Sequence, residues 1–494
     1  MKNNIIIFGL SILLMCSSCS DNFLDKNPLD EVSSQTFWKS EDDAYIALVG
    51  VYSRLQASIY SVTRYNLDCL TDNGYNFQNA DQVQNISRGD ILPSTGGVIN
   101  TMYNDAYKGI SSCNVFLQNI ADLEMSQTTK SRYVGEVKFI RAWFYFNLQQ
   151  FYGDVVIYET PPTVEESRIK QSSSQQVLDL IHRDLDDAIA SLPNESYTGN
   201  IVKNSALALK AKVHLHSGEW SQAATLAGQV MASGKTSLYN DFTGLFLTSG
   251  QESNPDEILF STKFLAPDNT HWYQIYVAWW LQPNPRQELV DAYQATDGLP
   301  ITSSPLYNPA DPYVNRDPRL LQTVQVEPWY IDGQLIQQEP TETGYAIQKG
   351  IDKTIGPIGY DVLSDMDIIH LRYADVLLMY AEAQNEAVGP DQSVHDAVNE
   401  VRSRPSVNMP DLPTGLTKDQ MRDHIRLERR IELAFEGHRY LDLKRWGTIQ
   451  DVLSAVDEPG LGVGGLNFKS HHYNWPFPQS EIDRNPELDQ KTGY

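Results

Sequence analysis

One stretch constrains the fold of this chain more than any other: Ile425–Gly447, with the sequence IRLERRIELAFEGHRYLDLKRWG. Ahead of it, Thr417 and Gln420 have the spacing of a capping box, which predicts a helix start, and Gly437 is a natural residue to end that helix. The stretch carries both signs of charge: Glu428, Arg429, Arg430, Glu432, Glu436, Arg439, Asp442, Lys444 and Arg445. A half-buried charge without a partner is costly, so such mixtures usually form paired networks. We therefore interpret the stretch as a structural ionic clamp and not as a catalytic site.

The acidic composition limits the partners of the protein. Its 63 Asp and Glu residues exceed its 38 Lys and Arg residues, which gives a formal net charge of −25. Nucleic-acid binding depends on clustered Lys and Arg side chains that neutralise phosphates, so we expect no nucleic-acid partner. The same balance disfavours a basic patch as the means of membrane binding.

The N-terminus has the pattern of a lipoprotein signal peptide. Lys2 precedes an apolar run, Ile5–Met15, which is shorter than the roughly 20 residues that a spanning helix needs. Two small serines then precede Cys19, as a lipoprotein peptidase requires. We predict that residues 1–18 are removed and that Cys19 is acylated, for example with palmitate; Cys16 is the weaker candidate because the bulky Met15 precedes it. Cys69 and Cys113 can then either pair or stay as free buried thiols.

Helical periodicity dominates residues 19–239 and 368–494, which predicts a mostly α fold. The predicted helices are Ile99–Ala121, Thr129–Phe151, Ser174–Leu192, Ser205–Ser217, Ser221–Ser233, Leu371–Val388 and Ser393–Arg402. In GEWSQAATLAGQV, the small side chains of Ala223 and Ala227 allow two helices to pack closely, as in tetratricopeptide-like pairs. Such pairs build extended surfaces that more often dock proteins than perform chemistry.

Residues 240–367 differ from the helical parts. Prolines cluster there, and no long helical period continues beyond Gln287–Tyr293. Short runs such as Ile258–Thr262 and Thr323–Val326 favour strands. We expect a loop-rich insertion with short strands, carried on the helical scaffold of a single domain over residues 19–494.

Aromatic residues in this insertion are candidates for ligand binding. Four of the nine tryptophans lie there, with Tyr273 beside the first: Trp272, Trp279, Trp280 and Trp329. Aromatic rings can cover the flat C–H faces of sugars, and a rigid platform loses little entropy on binding. We predict that at least one of the four stacks on a bound sugar, although the same residues could simply anchor the insertion. The other five, Trp38, Trp143, Trp220, Trp446 and Trp475, are expected in the core.

A second loop offers hydrogen-bonding groups. Ser58–Gly97 is irregular and contains Asp72, Asn73 and Tyr75, which we predict as polar neighbours of the ligand if the fold brings this loop near the insertion.

Motifs for catalysis or metal binding are missing from the sequence. There is no HExxH, no GxSxG and no Cys/His set with zinc spacing, so we expect no catalytic residue, cofactor or metal. Gly460–Gly465 matches GxGxxG but lacks the flanking strand and helix. Carboxylates are too numerous for their spacing to identify or exclude a glycosidase pair.

The segment ERRIELAFEGHRYLDLKRWG resembles the signature of the SusD/RagB family, surface lipoproteins that capture nutrients beside a TonB-dependent transporter. The tail Trp475–Tyr494, WPFPQSEIDRNPELDQKTGY, is similar to that family's terminal pattern, and LRYADVLLMYAEA also matches. The resemblance implies an outer-membrane, cell-surface lipoprotein that hands oligosaccharide or polysaccharide to a SusC-like transporter. In the family, repeat helices contact the transporter and ligand lies on the irregular surface. Peptide cargo, as in the RagB branch, is the first alternative, and a surface glycosidase is the second.

Overall fold

Helices are the main secondary structure of the computed structural model, which describes residues 37–494 except 327–329, 332–333, 336–340, 356–358, 361 and 459–462. In chain order the α-helices are α1 (Glu41–Tyr52), α2 (Val83–Ser87), α3 (Val98–Ile120), α4 (Gln127–Tyr152), α5 (Ser174–Ser191), α6 (Lys203–His216), α7 (Trp220–Met231), α8 (Thr248–Gln251), α9 (Gln287–Ala292), α10 (Arg319–Thr323), α11 (Tyr373–Ala387), α12 (Gln392–Arg402), α13 (Lys418–Glu432), α14 (Arg439–Arg445), α15 (Ile449–Ser454) and α16 (Gln479–Arg484). Each of the seven long helices predicted from the sequence begins and ends within two residues of its predicted bounds, so the expected mostly α fold is confirmed.

The long helices pack side by side in an array that follows the chain. Helix α4 packs on α3 and α5, α5 on α6, α6 on α7, and α7 on α11, which also contacts α12 and α13. Ala223 and Ala227 of α7 are fully buried at these contacts, as their small size predicted. Helix α4 carries aromatic side chains on most of its sides, and these side chains are buried. Trp143 and Phe144, for example, lie in the main core. None of the helices in the described ranges is long and apolar enough to span a bilayer.

The signature stretch folds as two helices with a sharp connection. Thr417 accepts a hydrogen bond from the backbone of Gln420 in the predicted capping box and starts α13. Helix α13 ends at Glu432, however, and does not run on to Gly437 as the sequence predicted. Phe435 has φ 62° and Gly437 has φ 78°, and a Cβ atom at Gly437 would lie 2.8 Å from Cγ of Arg64. The turn therefore depends on a close contact with a distant segment.

The strands form short antiparallel pairs. The strands are β1 (Gly74–Asn76), β2 (Ile258–Thr262), β3 (Pro283–Pro285), β4 (Val324–Gln325), β5 (Tyr330–Ile331), β6 (Gln334–Leu335), β7 (Ala346–Ile347), β8 (Ile368–Arg372), β9 (Asp457–Glu458) and β10 (Val463–Gly464). They pair as β1–β3, β2–β8, β4–β7, β5–β6 and β9–β10. The β2–β8 pair closes the base of the insertion directly before α11. The β1–β3 pair joins the polar loop of residues 58–97 to the tryptophan-rich segment.

Two other sequence expectations can be compared with the core. Trp143 and Trp475 are fully buried as predicted, whereas Trp38, Trp220 and Trp446 are only partly buried and pack against the core. Cys69 and Cys113 are both buried free thiols.

Candidate ligand-binding site

Five aromatic side chains form one cluster at the surface of the insertion, which we call the aromatic platform: Trp272, Tyr276, Trp279, Trp280 and Tyr360. Ring centroids lie 6.1 Å apart for Trp272 and Trp280, and 4.7 Å apart for Trp279 and Tyr360. The rings are tilted or edge-to-face, the geometry that aromatic pairs prefer. Trp272 is 38% exposed, Trp279 36% and Tyr360 61%, so three rings retain free surface.

The local backbone explains why these rings meet. Residues Ile275–Trp279 form a π-helix, in which the backbone amide of Trp280 donates to the carbonyl of Ile275 at 2.8 Å. Ile275, Val277 and Ala278 point into the protein and are fully buried. The opposite side of the turn carries the indoles. Such π turns are rare and occur often at functional sites.

The polar loop lies beside the platform, as the sequence hypothesis required. In the β1–β3 pair, Tyr75 is opposite Asn284, and the chain then continues into Phe77 and Gln78. The side-chain amide of Gln78 donates to the carbonyl oxygen of Trp280 at 2.9 Å. Phe77 and Gln78 are exposed, whereas Tyr75 is nearly buried beneath the guanidinium of Arg286. The loop therefore contributes one amide, that of Gln78, which sequence reasoning did not select.

Asp72 and Asn73 are engaged inside the protein. The Asp72 carboxylate accepts hydrogen bonds from Arg439 at 2.9 and 3.0 Å and lies 2.9 Å from Arg430. Burial opposes its ionisation, but the two guanidinium groups outweigh burial and lower the pKa of Asp72 to about 2. Asn73 is fully buried, accepts from Arg430 at 2.9 Å and donates to Asp68 at 3.0 Å. These contacts fasten the loop to the ionic clamp and leave the hypothesis of ligand contact by Asp72 and Asn73 without structural support.

Tyr273 belongs to the core and not to the platform. It is 7% exposed, and its hydroxyl donates to the carbonyl oxygen of Lys349 at 3.0 Å. Its placement corrects the sequence hypothesis, which grouped it with its neighbour Trp272. Trp329 lies outside the described residues. Tyr360 was missed because it stands alone in its segment, and only the folded insertion brings it to Trp279.

The ionic clamp is buried in the protein. Glu432 of α13 is fully buried and accepts from Arg372 at 2.7 Å, from Arg404 at 2.9 Å and from Arg319 at 2.9 Å. Burial opposes ionisation of Glu432, yet the three guanidinium groups hold its pKa well below the ordinary value. Arg372 also pairs with Glu436 at 2.7 Å. Of the nine charged side chains named in the signature stretch, eight are ion-paired with buried partners, as the sequence predicted. Lys444 instead donates to the carbonyl oxygen of Gln150.

Family models match two parts of the chain. The SusD/RagB model, described as the SusD family, matches residues 261–494. A second model, described as starch-binding and associating with the outer membrane, matches residues 22–215. The matches cover both the helical scaffold and most of the insertion.

Relatives extend over the full length of the chain. SusD-like protein P38 of Formosa agariphila is 26% identical over 517 aligned residues, which span 100% of this chain and 99% of the relative. A SusD-like carbohydrate-binding protein from Bacteroides fragilis is 26% identical, and its crystal structure has a TM-score of 0.83 over 92% of this chain and 100% of that one. A laminarin-binding SusD-like protein, 24% identical, has a TM-score of 0.71 over 92% of this chain and 100% of that one. With two family models, full-length relatives and the same fold in agreement, this chain belongs to the SusD/RagB family.

Proposed function

We propose that this protein is a cell-surface, lipid-anchored glycan-binding protein that captures oligosaccharide or polysaccharide and delivers it to a SusC-like TonB-dependent transporter. The aromatic platform is the observation that carries the proposal. Three partly exposed rings, Trp272, Trp279 and Tyr360, meet at angles to one another above a buried support. A sugar chain that crosses the platform could stack successive sugar rings on successive aromatic side chains.

The groups around the rings suit sugar hydroxyls. The exposed side chain of Gln78 lies against Trp280, and an amide can both donate and accept. The similar proteins point the same way, since they are starch-binding, carbohydrate-binding and laminarin-binding proteins. Peptide cargo is the alternative, because an aromatic platform also suits side chains of peptides.

Binding without catalysis is part of the proposal. Glycoside hydrolysis needs two carboxyl groups about 5–10 Å apart on either side of the scissile bond. The platform is instead built from rings, and the nearby Asp72 carboxylate is held by Arg430 and Arg439. A group with its pKa lowered to about 2 is a poor general acid near neutral pH.

Delivery to a transporter rests on the helix pairs. Helices α6 and α7, with α11 and α12, form the array that tetratricopeptide-like units use for docking proteins. The family model that matches residues 22–215 is described as associating with the outer membrane. That location would place this protein beside an outer-membrane transporter.

Isothermal calorimetry against a panel of polysaccharides and unrelated peptides tests the ligand class. We expect at least one glycan to bind saturably and the peptides to release no heat. Peptide binding without glycan binding would replace the proposal with the peptide-capture alternative. Chromatography of the recovered glycan should show unchanged chain length, and shorter products would make the protein an enzyme.

The lipid anchor is tested at Cys19, which lies outside the described residues. Cys19→Ala should abolish palmitate labelling and move the protein from the membrane fraction to the soluble fraction, because no acyl chain can then be attached. Cys16→Ala, the matched control, should keep both the label and the membrane location. Continued labelling of the Cys19→Ala variant would place the anchor elsewhere.

A further inference from the structure

Three side chains with metal-ligand chemistry meet on the helix pairs: His182 of α5, His214 of α6 and Glu219 in the turn before α7. One ligand atom from each lies within 4.8 Å of the other two. The two imidazole rings have centroids 4.4 Å apart, and Nδ1 of His214 is hydrogen-bonded to the Glu219 carboxylate. The histidines are half-buried and Glu219 is exposed. Within the described ranges, these three side chains form the set of His, Cys, Asp or Glu residues close enough together to hold a metal ion.

The backbone fixes the position of the carboxylate. The amide of Glu219 donates to the carbonyl oxygen of His214 at 2.9 Å, which folds the turn back over the end of α6. Gly218, with φ 72°, allows this tight return. The packing of α5 on α6 supplies His182 from the other side. Two helices and one turn therefore converge without a flexible loop.

Charges around the three side chains are balanced. Lys210 lies one helical turn before His214 and is ion-paired with Asp186, which lies one turn after His182. The ammonium group of Lys210 is thus neutralised by its own partner. Glu219 remains to offset the charge of a bound cation.

His182 has an unsatisfied polar atom. Its Nδ1 is buried and finds no hydrogen-bond partner in the described part of the chain. A buried donor or acceptor without a partner costs free energy, and native proteins rarely leave one. Coordination of a metal through this nitrogen would give it a partner.

We propose that His182, His214 and Glu219 bind a divalent transition metal, with Zn²⁺ as the best match. Two imidazole nitrogens and one carboxylate oxygen form a three-ligand zinc set, which leaves a fourth tetrahedral position for water. Nitrogen ligands disfavour Ca²⁺ and Mg²⁺, which prefer oxygen. The bound ion would join α5 to the α6–α7 pair, and it shares no residue with the aromatic platform.

Titration of ZnCl₂ into the purified, tag-free full-length protein tests the proposal by calorimetry. We expect one Zn²⁺ per chain and a melting temperature that rises with Zn²⁺ concentration, because a ligand of the native state stabilises it. MgCl₂ at the same concentrations should change neither reading. Absence of saturable Zn²⁺ binding would overturn the proposal.

Variants locate the bound ion. His182→Ala, His214→Ala and Glu219→Gln should each weaken Zn²⁺ binding at least tenfold, since changes even behind the ligands cost about 10- to 100-fold. Glu219→Gln keeps the shape of an exposed side chain and therefore keeps the fold testable by circular dichroism. His424→Ala, which removes a half-buried histidine outside the set, should leave the affinity unchanged. Equal affinity in all four variants would show an adventitious ion only.

Discussion

Replacing Glu432 with alanine should lower the free energy of unfolding by about 3–5 kcal/mol, the range found when one partner of a buried ion pair is removed. The side chain is fully buried, and three arginines surround its carboxylate. Five cations and five carboxylates are joined in this network: Arg319, Lys349, Arg372, Arg402 and Arg404, with Glu257, Asp317, Glu428, Glu432 and Glu436. The substitution leaves one cation in excess where water cannot solvate it.

Urea unfolding followed by circular dichroism measures this loss. The matched control is Glu159→Ala, because Glu159 also pairs with an arginine, Arg183, but both side chains are about half exposed. Exposed ion pairs contribute about 0–1 kcal/mol, so the control should unfold close to the parent protein. A Glu432→Ala variant as stable as the Glu159→Ala variant would contradict the structural role of the clamp.

Helices were predictable from the sequence because their signals are local. Apolar spacing and capping residues such as Thr417 act within a few residues, and the structure follows them closely. The end of α13 was not predictable in this way. It depends on Phe435 in a left-handed conformation and on the approach of Gly437 to Arg64, a residue far away in the sequence.

The candidate site was predictable in part for the same reason. Trp272 and Trp280 are eight residues apart, at the two ends of a short irregular helical segment. The local density of tryptophan was enough to select them from the sequence. Tyr273 follows Trp272 directly but faces the core, because adjacent residues of a helical turn point in different directions. Tyr360 and Gln78 reach the platform only through the folding of the insertion and the β1–β3 pair.

The proposed metal site shows the limit of motif searches. Zinc motifs are recognised by short spacings, whereas His182 and His214 lie on different helices that only packing brings together.

Removing a ring from the aromatic platform should weaken glycan binding strongly. Stacking of a flat ligand on an aromatic side chain is worth about 1–3 kcal/mol, by analogy with nucleic-acid bases. That corresponds to about tenfold to more than a hundredfold in affinity for Trp272→Ala or Trp279→Ala. Both indoles are more than one-third exposed, so their removal should barely change the melting temperature.

A matched control comes from tyrosine. Tyr360 of the platform is 61% exposed and Tyr45 of α1 is 53% exposed. Tyr360→Ala should weaken binding, whereas Tyr45→Ala should not, although both remove an exposed phenol. Equal losses would mean that surface tyrosines act through general stability.

Calorimetric titration of the Trp272→Ala/Trp279→Ala double variant with the glycan that binds the parent protein tests the central claim most directly. We predict that the double variant keeps the melting temperature of the parent. Its affinity for the glycan should fall more than a hundredfold. Unchanged affinity in a folded double variant would contradict the aromatic platform as the glycan-binding site.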